Sequence, residues 1–108
     1  EIVYETTATA PPEELHRFFL ACREDGFQPA RRRLRELLDR FGLAGTDLVN
    51  QLHRGLGDVP FLTEGQKLSV TQTMAEADFR MVEGGGEALQ LDAMTARLCT
   101  LLSPEMKS

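Results

Sequence analysis

The chain carries 108 residues, 42% of them hydrophobic and 27% charged, with a formal net charge of −5. That is enough apolar material for one core without metal or disulfide staples, and the acidic balance disfavours nucleic acid and anionic membranes as partners. No apolar run approaches the roughly 20 residues of a membrane span, and the first residues lack the basic and apolar segments of a signal peptide.

The chain starts on Glu1 rather than Met, as expected of a piece of a longer protein. Residues 1–9, EIVYETTAT, are rich in β-branched side chains and carry no helical stripe, so an extended lead-in or linker is expected there. A first helix opens at TAPPEEL, where prolines suit the first positions and Glu13 and Glu14 complement the positive end of the dipole. Leu15, Phe18, Phe19 and Cys22 then recur on one face until Gly26. The second helix begins near Gln28-Pro29, repeats the spacing at Ala30, Leu34, Leu37, Leu38 and Phe41, and ends at Gly42. The third opens at GTDL with Thr46 as N-cap and carries Leu48, Val49, Leu52 and Leu56, eroded by Gly55 and Gly57.

Pro60 excludes a regular helix in the following connection, and Thr63 caps a fourth helix over residues 63–83. This helix has two apolar stripes, Leu68, Ala75, Phe79 and Val82 against Val70, Met74, Ala77 and Met81, about a third of a turn apart. Such breadth predicts a central helix, or one that meets a neighbour as well as its own core. The fifth helix, residues 87–102, carries Leu91, Met94, Leu98, Leu101 and Leu102, and Ser103-Pro104 closes the fold. The class is all-α, a five-helix bundle.

Gly84-Gly85-Gly86 poses the question of a phosphate loop. Such loops present backbone N–H groups at a helix start and usually add a Lys. Here Glu83 and Glu87 flank the glycines and no Lys or hydroxyl follows, so the three read as a helix joint with a left-handed glycine, Gly84 being the candidate. The arginines of ARRRLRELLDR fan around their helix with Glu36 and Asp39 between them. Pairs such as Arg32–Glu36 and Arg35–Asp39 and a solvated face are expected. Cys22 and Cys99 read as reduced thiols packed in the core, and His16 and His53 as surface or boundary histidines without a metal partner. No nucleophile, base and orienting group assemble, so no catalytic, cofactor-binding or metal residue is assigned.

Two stretches carry a family likeness. AEADFRMVEGGGEALQLDAMTARL, residues 75–98, resembles the closing segment of replication factor C small subunits, the clamp-loader ATPases. There a helix ending in Phe-Arg and Val-Glu-Gly turns through a short loop into a helix that opens on Glu and Leu-Gln-Leu. Residues 11–56 are similar to that family's preceding helices, in Gly26-Phe27 followed by Ala30-Arg31 and Leu34, and in Asp47-Leu48 followed by Gln51-Leu52-His53. The likeness covers about residues 10–102, and the triple glycine departs from a loop that is less glycine-rich in the family.

The resemblance implies a C-terminal collar domain that packs beside its neighbours to hold a pentameric ring together. Residues 1–9 would be the linker from an ATPase lid domain, 10–103 the collar and 104–108 a tail. ATP, magnesium, the Walker motifs and the arginine finger would belong to the parent protein's other domains. Through these the assembly opens a sliding clamp and loads it on primer–template DNA, while the collar meets the other large and small subunits. An archaeal-type subunit, cytoplasmic and nucleoid-associated, is favoured over a nuclear eukaryotic one, and no membrane partner is expected.

In such a collar, Leu68, Ala75, Phe79 and Val82 are expected in the core. Val70, Met74, Ala77 and Met81, with Arg80 at the polar rim, are then the expected contact with a neighbouring subunit. The alternatives are a general helical protein–protein adaptor or a small helical DNA-binding domain, the latter opposed by the net charge and the dispersed arginines.

Overall fold

The computed structural model describes residues 9–104; the expected extended lead-in over 1–8 and the tail over 105–108 lie outside the described residues. The helices are α1 (Pro12–Glu24), α2 (Phe27–Phe41), α3 (Gly45–Gly55), α4 (Glu64–Val82) and α5 (Glu87–Leu102), with one 3-10 turn, Leu56–Asp58, after α3. No strand occurs among the described residues.

Local chemistry sets most of the boundaries. Pro12 occupies the first turn of α1 beside Glu13 and Glu14. Gly26, at φ +95°, redirects the chain so sharply that α2 begins at Phe27, ahead of the expected Gln28-Pro29. Gly42 ends α2 in the left-handed region at φ +62° and donates its N–H to the Leu38 carbonyl. Thr46 is not the cap of α3. Ala44 takes that position without a side-chain cap, and the Asp47 carboxylate reaches back from the first turn to accept its N–H at 3.3 Å, one half of a capping box. Thr63 caps α4 reciprocally: its hydroxyl accepts from the Gln66 N–H at 3.1 Å and its N–H donates to Gln66 Oε1 at 2.9 Å.

The central helix is α5, which packs on each of the other four. It buries Leu91, Met94, Thr95, Leu98 and Leu102, and Thr95 satisfies its hydroxyl by donating to the Leu91 carbonyl at 2.8 Å. Around it close Phe18 and Phe19 of α1, Leu34 and Leu37 of α2, Leu48 and Leu52 of α3, and Val70 and Met74 of α4. The breadth of apolar surface on α4 therefore does not make it central: α4 lies at the edge, packed chiefly on α3 and α5.

The arginines of α2 act as ties between helices. Glu14 of α1 receives Arg33 and Arg40, along with its own neighbour Arg17, at 3.4–3.9 Å. Asp92 of α5 receives Arg31 and Arg35 at 3.2 and 3.1 Å. These pairs replace the expected Arg32–Glu36 and Arg35–Asp39. A guanidinium on either edge of a helix wedged between two others reaches their carboxylates as readily as those of its own turn.

Candidate subunit interface

The two apolar stripes of α4 project on different sides of the helix, and the bundle buries one of them. Val70, Met74 and Ala77 are 0, 1 and 5% exposed, and Met81 is half-buried against the same core. The expected contact residues Val70, Met74, Ala77 and Met81 are thus occupied within the chain. Leu68, Phe79 and Val82, expected in the core, are instead 65, 62 and 68% exposed, and Ala75 is exposed with them. The stripe expected in the core is thus the exposed one, and the stripe expected at a neighbour is the buried one. Periodicity defines a face but not which side the rest of the chain covers, and here α3 and α5 cover the Val70–Met74–Ala77 side.

Arg80 keeps a solvent position, paired with Glu76 at 3.1 Å. The outward stripe extends further than the four residues first grouped. Leu68, Gln72, Ala75, Phe79 and Val82 follow one another at alternating steps of four and three, the spacing of a helix seam that meets another helix. All five are exposed. By the same helical periodicity Glu76 and Glu83 border the seam on one flank and Asp78 on the other. Leu89, in the first turn of α5 and absent from the expected set, is 69% exposed.

Gly84, Gly85 and Gly86 lie between α4 and α5 and join the two helices. Gly84 stands at φ +105° and its N–H reaches the Met81 carbonyl at 3.2 Å, while the Gly85 N–H reaches the Arg80 carbonyl at 2.8 Å. This double bond pattern closes the end of α4 and satisfies carbonyls that the helix leaves free. A Cβ on Gly85 would stand 2.8 Å from the Arg80 carbonyl oxygen, so the second glycine is required by close approach and the first by its backbone angle. Gly86 has an ordinary φ of −61° and is the N-cap of α5.

The joint has a further anchor that periodicity does not reveal. Glu87, expected only as a first-turn acid, reaches across to α3 and accepts the Gly45 N–H at 3.1 Å. Among the described residues no group of three or more His, Cys, Asp and Glu is placed to hold a metal ion. His16 is half-buried and His53 exposed.

Residues 10–97 match the family model of the replication factor C C-terminal domain. The chain belongs to that family. It is 34% identical to the replication factor C small subunit of Methanocella arvoryzae over 96 residues, covering 89% of this chain and 30% of the relative. The corresponding subunits of Archaeoglobus fulgidus and Natronomonas pharaonis are 37 and 38% identical, over 94 and 91% of this chain and 31 and 30% of their own length. The chain therefore spans about 30% of the length of these relatives.

The part of this replication factor C domain that matches begins at Ala10, and the structure gives that point a physical meaning. Ala10 is buried, and its N–H donates to the side-chain oxygen of buried Gln51 at 2.9 Å. Gln51, read from sequence only as part of a motif, holds the incoming chain to α3.

Proposed function

We propose that this domain is the oligomerisation collar of a clamp-loader small subunit and that the outward face of α4 is where the next subunit packs. The observation that carries the reading is the seam of Leu68, Ala75, Phe79 and Val82 left in water opposite the core. Large exposed apolar side chains at helix-packing spacing are a recurrent mark of association surfaces. Burying Leu68, Phe79 and Val82 contributes about 1–2 kcal/mol each, before the cost of association.

The charges favour one manner of packing. Glu76, Asp78 and Glu83 border the seam, so two identical seams laid together would oppose like charges. A head-to-tail contact, with the seam against a different face of the next subunit, avoids this and is the type of contact that closes into rings. In this reading ATP and magnesium act in domains outside this chain, and the collar holds neighbouring subunits together while those domains load a sliding clamp onto primer–template DNA. A DNA-binding role has less support, because four of the five arginines on α2 are engaged by Glu14 and Asp92.

A photo-reactive residue placed at Phe79 in the assembled full-length subunit tests the contact. Cross-linking to a neighbouring subunit is expected, and adducts confined to the same chain would contradict it.

A further inference from the structure

The proposed function leaves unused a pair of thiols on the two helices nearest the ends of the chain. Cys22 of α1 and Cys99 of α5 are both free, the first buried and the second half-buried. α1 and α5 pack on each other, and the two thiols line one cavity there. Both border an open cavity of about 430 Å³, whose walls include Arg23, Glu24 and Asp25 at the end of α1 and Thr100 and Ser103 at the end of α5. A small polar solute therefore has a way in, with half-buried Cys99 accessible and Cys22 behind it.

The contact divides the two sulfurs by role. A hydrogen bond from Cys22 holds the Cys99 thiol below the ordinary thiol range, against the opposing effect of its own burial. Cys22 is pushed strongly upward by the same hydrogen bond, then by burial and by the negative charge on Cys99. Arg23 is paired with Glu24 at 3.2 Å, so the cavity wall is close to neutral there, with Asp25 adding one negative charge.

We propose that Cys22 and Cys99 form a hydroperoxide-responsive dithiol, in which Cys99 is oxidised from the cavity and Cys22 resolves it into an intramolecular disulfide fastening α1 to α5. In the first step the Cys99 thiolate attacks one peroxide oxygen and the O–O bond breaks. The departing oxygen leaves with the bonding pair and takes a proton, as water from hydrogen peroxide. The sulfur, now a sulfenic acid, has lost two electrons and the peroxide has gained them. In the second step the Cys22 sulfur bonds to Cys99, the S–O bond breaks, and the Cys22 proton departs with the hydroxyl as water. The first step itself frees Cys22 to react, since it removes the thiolate charge and the hydrogen bond that held its proton.

The test treats the 108-residue chain with hydrogen peroxide, blocks remaining thiols with a maleimide, and maps masses without reduction. The expected product is a chain lighter by two hydrogens, with the Cys22 and Cys99 peptides joined and no maleimide on either. Its melting temperature should rise by several degrees, because the bond closes a loop over most of the domain, and should return on reduction with dithiothreitol. Cys22→Ser is expected to stop at a sulfenic acid on Cys99 that dimedone traps. If that variant fails to fold, the wild-type map decides alone. Maleimide on both cysteines after peroxide, sulfinic acid on Cys99 of the wild type, or disulfides joining separate chains would each overturn the proposal.

Discussion

The Glu87 carboxylate, at the first residue of α5, accepts a hydrogen bond from the backbone N–H of Gly45, the first residue of α3, at 3.1 Å. One side chain thus caps a second helix and ties the α4–α5 joint to it, placing a negative charge at the positive end of α3. Glu87→Ala should cost about 1 kcal/mol in chemical denaturation. Gly45→Ala should cost about 1–3 kcal/mol, because its Cβ would stand 2.8 Å from Glu87 Cγ and 2.9 Å from Met81 Sδ. An unchanged denaturation midpoint in both variants would show that the cap contributes nothing.

The three glycines of the joint should respond differently. Gly84→Val meets a positive φ and Gly85→Val meets the Arg80 carbonyl, so each should lose about 1–3 kcal/mol. Gly86→Ser should be neutral or stabilise slightly, since a Cβ there has open space and Ser is a better N-cap. Equal losses at all three positions in thermal melts would contradict this division.

Much of the bundle is legible in the sequence, because α1, α2, α3 and α5 each carry one dominant apolar face. The joint is legible for a related reason: the flanking Glu83 and Glu87 do not suit a phosphate, and a glycine does suit a helix end. Which face of α4 the core buries was not legible from periodicity, since α4 offers two apolar faces and either one fills a core. A signal was nevertheless present. Glu76, Asp78 and Glu83 border the outward seam, whereas uncharged Thr73 lies beside Val70, Met74 and Ala77, and it is Thr73 that the core buries. The partners of the α2 arginines were hidden for another reason: Glu14 and Asp92 come close only once three helices have packed.

Glu14 receives three arginines while its side chain is only 12% exposed. Glu14→Gln should therefore cost about 1–2 kcal/mol. Arg17→Ala, which removes one exposed i,i+3 partner, should stay within about 0.5 kcal/mol. Denaturant titrations of both variants check the contrast, and comparable losses would mean that the interhelical ties add nothing to the local pair.

The thiol contact predicts a pH profile. Only the thiolate alkylates, and Cys99 gives up its proton more easily than an ordinary thiol because Cys22 donates to its sulfur. Its reaction with iodoacetamide should therefore set in at lower pH in the folded chain than in urea. Cys22, shifted the opposite way, should stay unmodified until the chain unfolds. Cys22→Ala should move the Cys99 profile back toward higher pH. Superimposable folded and unfolded profiles for Cys99 would remove the basis for the contact.

The most direct test of the account is the molar mass of full-length subunits carrying Phe79→Glu with Val82→Glu, measured by light scattering. Both positions are exposed in the isolated domain, so its helicity and melting should remain within about 0.5 kcal/mol of wild type. Met74→Glu is the internal contrast: it buries an unpaired carboxylate and should cost several kcal/mol, about enough to unfold the domain. If the outward face of α4 joins neighbouring subunits, the Phe79→Glu, Val82→Glu protein will fold normally and remain monomeric where wild type assembles. Assembly of that protein at wild-type concentrations would contradict the account.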